Sequence, residues 1–288
     1  VRFGLSTHLF HGERLTRDHL QTIAAHGFDL VEVFATRTHV DYRDARRVDE
    51  LRAWLDELGL TAGSMHAPIC DGFAGGVWGR AFSNASTIAA SREEAVAETS
   101  AALGAARRLG CSMVVLHLGL PRGQKIPAGD NDARAMRRSL ESIVDAAGAA
   151  GVRLALEVIP NDLSTPDALR DLFSGDLDLG PTGICLDFGH AHILGGAAEA
   201  AETLSGHVIT THVHDNDGRE DVHLAPFDGS IDWPLVLMTM WKVGYQGPLV
   251  FEVADHGDAR RVLERTVGAR SRLQAILDDL AQPFAFAD

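Results

Sequence analysis

The sequence predicts a single (β/α)8 barrel spanning residues 1–288, and three observations carry that expectation. Short apolar runs alternate with amphipathic stretches along the whole chain, eight of each in strict succession. Several amphipathic stretches stop at a glycine just before the next apolar run (Gly27, Gly59, Gly110, Gly151 and Gly244), as the left-handed turn ending a helix requires. No GxGxxG or GxxxxGK[ST] follows the first apolar run, which disfavours an open doubly wound sheet. Repeated β-then-α units call for a parallel sheet, and eight of them close a barrel.

The expected strands are Arg2–Ser6, Leu30–Phe34, Ala62–His66, Met113–His117, Arg153–Val158, Gly183–Asp187, Val208–His214 and Leu249–Val253. Between them the spacing of apolar residues predicts helices over Leu15–Ala25, Val48–Leu58, Arg92–Leu109, Asp132–Ala150, Pro166–Phe173, Ala197–Leu204, Trp233–Lys242 and Asp258–Leu280. Ser91 with Glu94 three residues on predicts a capping box for the third helix. Two connections exceed simple links. Asp71–Ala90 is rich in Gly and small residues and carries Trp78 and Phe82; Asp215–Asp232 is polar and Gly-punctuated. Both follow strands on the same barrel face, where long loops serve binding.

Composition narrows the function classes. With 26 Lys+Arg against 40 Asp+Glu the formal net charge is −14, and no basic run segregates it. Nucleic acid and anionic membrane are therefore not expected partners. No apolar stretch reaches bilayer-spanning length, and the start VRFGLSTHLF reads as a strand, so a cytoplasmic protein is expected. Cys70, Cys111 and Cys185 show no CxxC spacing, which suits a reducing compartment, and Cys111 and Cys185 sit in apolar strand-like runs as small buried thiols do.

The chemistry lies at the strand ends. Strand three ends at His66, strand four at His117, strand five at Glu157 and strand six at Asp187, with His190 just beyond. Strand seven ends at His212 and His214, with Asp221 and His223 in the next loop, and strand eight at Glu252. One such residue is usually a satisfied core polar group. Six successive strands each delivering a metal-type ligand to the end where barrel active sites lie is a different matter. Unpaired, these groups would each cost several kcal/mol in a dry mouth; a divalent cation removes that cost. The mixed nitrogen and oxygen set suits Mn²⁺, Zn²⁺, Co²⁺ or Fe²⁺, and Mg²⁺ is also allowed.

The segments LDFGHAH and HVHDNDGREDVHLAPFDGSIDW, together with the eight units from FGLSTHLF to LVFEVAD, resemble the xylose isomerase-like TIM barrel superfamily. That superfamily includes sugar isomerases and epimerases and the endonuclease IV group. The resemblance implies a single metal held by Glu157, Asp187, His214 and Glu252, with Glu157 and Glu252 doubling as acid and base. It implies substrate contacts from His190 and from an Arg after strand seven, for which Arg219 is the nearest candidate. His66, His117, His223 and Trp78 complete the expected substrate-binding set. In the endonuclease IV group a trinuclear zinc site draws further ligands, which here fall on His66, His117, His190, Asp221 and His223. The expected cofactor is thus one to three divalent ions.

The leading expectation is a metal-dependent isomerase or epimerase of a small polyhydroxylated carbonyl compound (a sugar, keto-sugar or sugar phosphate) working through a metal-stabilised enediolate. A metallophosphoesterase of the endonuclease IV type and a dehydratase on the same scaffold are the alternatives. The acidic charge and the continuation EVIPN, in place of the family's Glu-Asn pair, weigh against a DNA enzyme. A non-catalytic barrel would not need this many ligands.

His8 and Glu32 are expected near the pocket, and His26, His39, His207 and His256 on the surface. Arg122 and Lys125 read as solvated loop charges within reach of a phosphate. Phe284 and Phe286 read as a tail that could dock on the barrel or on another subunit, and a homodimer is compatible with this type of barrel.

Overall fold

The computed structural model describes residues 1–122 and 129–282 and closes eight parallel strands into a barrel. The strands are β1 (Phe3–Ser6), β2 (Leu30–Phe34), β3 (Thr61–His66), β4 (Met113–Leu116), β5 (Arg153–Glu157), β6 (Gly183–Asp187), β7 (Val208–Val213) and β8 (Leu249–Phe251). They stand around the ring in chain order, and β1 pairs with β8 to shut it. Lys125, Phe284 and Phe286 lie outside the described residues. No described helix is long and apolar enough to cross a membrane.

The helices are α1 (Arg17–Ala25), α2 (Ala45–Leu58), α3 (Ala89–Leu109), α4 (Ala133–Ala150), α5 (Pro166–Phe173), α6 (Phe188–Ile193), α7 (Ala197–Thr203), α8 (Trp233–Lys242) and α9 (Ala259–Ala281). Thr16, Asp44, Asp132, Thr165, Asp232 and Asp258 start six of them, each side chain accepting a backbone N–H of the first turn. Gly59 and Gly110 end α2 and α3 with φ of 67° and 84°, a conformation closed to most side chains. The capping box expected at Ser91 does not form. Ala89 and Ala90 are strong helix formers and carry α3 back to Ile88, which gives no side-chain cap. Three short elements had no sequence period to reveal them: α6, the 3-10 turn Thr7–Phe10, and the hairpin Phe73–Ala74 with Val77–Trp78.

Apolar burial is split in two. A large shell of Leu, Ile, Val and Phe fills the space between strands and helices. A separate small cluster of Val115, Ala155 and Cys185 lies in the barrel. Each of those three precedes by two residues a polar strand-end group: His117, Glu157 and Asp187. Side chains two apart on a strand share a face, so this cluster is an apolar floor under a polar mouth. All three cysteines are buried free thiols, and burial pushes Cys111 up to about 12.

Two β-bulges set the phase of the mouth. Between β2 and β3 the pairing runs Val31↔Ala62, then Glu32↔Ser64, passing over Gly63. Between β6 and β7 it runs Ile184↔Val208, then Cys185↔Thr210, passing over Ile209. An extra residue re-aims the side chains beyond it. Here that places Ser64 beside Glu32 and His212 beside Asp187.

Candidate metal centre and active site

Nearly every polar residue predicted at the strand ends converges on the mouth. Three groups of side chains each bring ligand atoms within 4.8 Å of one another: Glu157, Asp187, His212 and Glu252; His66, His117 and Glu157; and His190, His214, Asp221 and His223. Glu157 belongs to two of the groups and is fully buried. The resemblance implied His214 in the set with the three carboxylates; in the structure His212 Nδ1 lies within that group, and His214 Nε2 stands 3.0 Å from Asp187 Oδ1. His212 is level with Asp187 in the β6–β7 ladder, whereas His214 lies two residues further up the wall and joins the third group.

The geometry around Glu157 is close. Its Oε2 is 3.0 Å from Nε2 of both His66 and His117, and its Oε1 is 3.1 Å from His212 Nδ1. His212 Nδ1 also stands 3.3 Å from Glu252 Oε2 and 3.6 Å from Asp187 Oδ2. In the third group Asp221 Oδ2 is 3.0 Å from His190 Nε2 and 3.3 Å from His223 Nε2. The His214 ring stacks on His223 at 3.9 Å between centroids, with its Nε2 3.0 Å from Asp187 Oδ1.

These residues fit a divalent ion, and the outer contacts of the histidines show why. His66 Nδ1–H donates to Ala67 O (2.8 Å), His190 Nδ1–H to Val158 O (3.0 Å) and His223 Nδ1–H to Glu252 O (2.7 Å). Each thereby fixes one ring nitrogen with a backbone carbonyl and aims the other into the mouth, the arrangement that metal-ligating histidines adopt. His214 Nδ1 is buried without a hydrogen-bond partner among the described residues. The donors are imidazoles and carboxylates with no thiolate, which suits Mn²⁺, Co²⁺, Fe²⁺ or Zn²⁺.

The β6–α6 junction shows how tightly the chain is drawn around this site. Asp187 ends β6 and caps α6 by accepting the His190 N–H at 2.7 Å, while its carboxylate also faces His214. A Cβ at Gly189 would lie 2.0 Å from His214 Cε1, so only glycine lets that ring sit there.

Charge is balanced inside the site. Burial works against ionising Glu157, but the His212 and His117 imidazoles hold it well below the usual carboxylate range. His190 is pushed down by burial and pulled well above an ordinary histidine by Asp187 and Asp221. His223 is opposed by burial and raised to about 9 by Asp221. This gives a signed pH prediction. A raised histidine stabilises the fold fully below its ordinary value of 6.5 and loses that contribution as pH climbs through the folded value, about 9 for His223. A divalent ion would take the place of those protons. Chelator-treated protein is expected to lose stability as pH rises from 6.5 to 9, while the melting-temperature gain on adding metal widens. Scanning calorimetry at several pH values measures both; a gain that does not vary with pH would contradict it.

Above the ligands lies a cavity of about 380 Å³. His66, His117, His190, Asp221, His223 and Glu252 form one side of its lining, and His11, Phe34, Phe73 and Trp78 form an aromatic wall. His11 stacks on Trp78 at 4.8 Å, and Phe73 meets the same indole edge-on at 4.7 Å. Trp78 is 38% exposed on its hairpin, while Phe82 is packed at the base of the loop under the Arg80 guanidinium. His8 lines the cavity, and His256 stands at its rim, exposed as the sequence predicts. His39, expected outside, is buried, its Nδ1–H donating to Glu13 O. Glu32 is fully buried and does not line the cavity. Arg219 does not reach it either: the loop turns outward at Asp217, which accepts the Arg219 N–H, and leaves the side chain exposed. His11, Phe34 and Phe73 escaped sequence reasoning; only the proximity of His11 to the end of the first strand could have pointed to one of them.

The loop after β7 holds Asp221 and His223 in place through Asp215. That fully buried carboxylate accepts from Phe227 N (2.9 Å), Ile231 N (3.1 Å) and Trp233 Nε1 (2.9 Å). His223 and Phe227 both hold positive φ, 46° and 73°, a strain that the surrounding contacts must sustain.

A parallel eight-stranded barrel whose C-terminal mouth gathers carboxylates and imidazoles in ion-sized groups is a (β/α)8 protein with a candidate metal centre. The chain belongs to the xylose isomerase-like TIM barrel family, whose sequence profile matches residues 20–276. It is 30% identical over 270 residues to a Methanocaldococcus jannaschii protein named "Uncharacterized protein MJ1311", covering 90% of this chain and 86% of that one. Among solved structures it is similar to a D-tagatose 3-epimerase-like protein, with 26% identity, a TM-score of 0.79, and coverage of 97% of this chain and 98% of the other. It also superposes on the IOLI protein with a bound zinc atom, with 18% identity, a TM-score of 0.74, and coverage of 98% and 100%.

Proposed function

We propose that this protein is a divalent-metal-dependent isomerase or epimerase of a small polyhydroxylated carbonyl compound. The observation that carries the reading is the pair Glu157 and Glu252. These buried carboxylates stand on β5 and at the end of β8, three strands apart around the ring, and both face His212 Nδ1. An ion held by Glu157, Asp187, Glu252 and an imidazole at the end of β7, His214 as the resemblance implies, would supply Lewis-acid polarisation of a carbonyl, acidifying the neighbouring C–H. One of the two glutamates takes that proton and the other returns one to the opposite face. Glu252 lines the cavity directly, and the His66 and His117 rings fix the carboxylate of Glu157. The wall of His11, Phe34, Phe73 and Trp78 offers an apolar surface to a sugar's C–H face and excludes water from it. The D-tagatose 3-epimerase-like neighbour and the zinc of the IOLI structure support the reading.

A metallophosphoesterase is the second reading, favoured by the linking of two of the ion-sized groups through Glu157. Against it, the lining of the cavity contains no Lys or Arg among the described residues, and the net charge is −14. The discriminating experiment incubates metal-loaded protein with a panel of ketoses in D₂O. Deuterium at the carbon next to the carbonyl, with product mass otherwise unchanged, is the expected result. Loss of water from the product would assign a dehydratase instead. Cleavage of an abasic-site duplex without any exchange would overturn the isomerase reading.

A further inference from the structure

His11 closes the 3-10 turn that follows β1, and its ring is clamped. His8 stacks on it at 4.6 Å between centroids and 17° between planes, and Trp78 at 4.8 Å and 8°. Two rings so nearly parallel to a third take its two faces. Phe73 meets the same imidazole at 4.6 Å, tilted by 68°. The Nδ1–H donates to the His8 carbonyl at 2.8 Å, which fixes the tautomer. Nε2 has no hydrogen-bond partner among the described residues, and the residue lines the cavity. With the proton on Nδ1, Nε2 is a bare lone pair, able to accept and unable to donate. It is the one polar atom of this ring left for whatever fills the cavity.

Its place in the mouth says which part of a substrate it meets. His8, the inner ring of the stack, lies 4.9 Å from His223, so His11 stands two rings away from the third ligand group. A carbonyl compound whose carbonyl end lies at the carboxylates therefore brings its remote end to His11. The surroundings have the wrong sign for an anion there. Burial opposes protonation of the ring, and the charges that act on it include the carboxylates of Asp255 and Glu252. The cavity lining holds no Lys or Arg among the described residues. A neutral Nε2 accepts from a hydroxyl and offers nothing to a phosphate, whose oxygens are themselves acceptors.

We propose that His11 is a specificity-determining residue: its Nε2 accepts from a hydroxyl at the end of the substrate remote from the carbonyl, which makes the substrate an unphosphorylated ketose. This rests on the isomerase reading above. The probes are D-fructose and D-tagatose, each as the free sugar, the 6-deoxy sugar and the 6-phosphate, with deuterium exchange giving KM and kcat. His11→Phe keeps a ring in the stack and removes Nε2. It is expected to raise KM for the free ketose by about 3–10-fold, the net worth of one neutral hydrogen bond, with kcat little changed. The 6-deoxy sugar should cost the wild type a similar factor and the variant nothing further, because both changes remove the same contact. The wild type should use the free ketose more than about 10-fold better than its 6-phosphate, whose charge would go unpaired. NMR of wild-type protein labelled at histidine nitrogen reads the contact without turnover and without a variant. The His11 Nε2 signal should move on adding the free ketose and stay in place with the 6-deoxy sugar. Losses that add, an unchanged KM in the variant, an unmoved Nε2 signal or a preference for the 6-phosphate would overturn this assignment alone. If no free or phosphorylated ketose exchanges at all, the isomerase reading falls and this assignment falls with it.

Discussion

Deuterium exchange into a ketose substrate is expected to fall by about 10²–10⁴-fold in Glu157→Gln and in Glu252→Gln, the usual contribution of a positioned acid or base. The two variants should fail differently. Glu157 is shared by two ion-sized groups and faces four histidines, His66, His117, His190 and His212. Its amide replacement leaves buried imidazoles facing a neutral group, so metal content should fall along with exchange. Glu252 is at the cavity surface and belongs to one group. Its replacement should retain more metal while losing proton transfer. Elemental analysis beside the exchange rate separates the two outcomes. Full exchange by either variant, or by chelator-treated wild type, would be incompatible with the proposed roles.

Asp215→Ala is expected to be the most destabilising single change in the loops, by about 3–5 kcal/mol. Four donors, Asn216 N, Phe227 N, Ile231 N and Trp233 Nε1, would lose their acceptor inside the protein, at roughly 1–3 kcal/mol for each left unsatisfied. For a chain of this size the melting temperature should fall on the order of 10 °C. The effect should not stop at stability. The Asp215 backbone also pairs with that of Leu224 in both directions, 2.8 and 2.9 Å, just after the strained His223. Releasing the loop frees Asp221 and His223, so ion binding at the third group should weaken more than at the first. A variant that melts like wild type would show that the loop is held by other contacts.

The ring of strands was legible because it is written in local terms. Period and chain punctuation located all eight strands to within one or two residues, since a parallel strand buried on both faces is a short apolar run bounded by turns. The polar ends were legible for the same reason: a histidine or carboxylate closing an apolar run stands out. What escaped was stagger. His212 and His214 share a face, and no spacing within the strand says which is level with Asp187. That is fixed by the extra residue Ile209 and the pairing across β6 and β7. Arg219 lies outside the cavity lining for a related reason, because the direction of a loop depends on turn hydrogen bonds such as the one at Asp217. His39 shows the converse: its burial comes from a contact with Glu13, 26 residues away, that no local pattern encodes.

The junction after β6 has a consequence for recognising relatives. In the tetrapeptide Asp187-Phe188-Gly189-His190, each position is constrained by a different physical demand. The aspartate must reach both a helix N-terminus and a buried imidazole, and the glycine must leave room for a ring carried by the neighbouring strand. The phenylalanine is fully buried edge-on against Trp233, and the histidine must span Val158 and Asp221. Demands so unlike cannot be met by compensating one change with another. A search string of four letters at the end of an apolar run, Asp-aromatic-Gly-His, therefore carries more diagnostic weight than a much longer stretch of barrel helix, where many residues serve the same purpose and any can be exchanged.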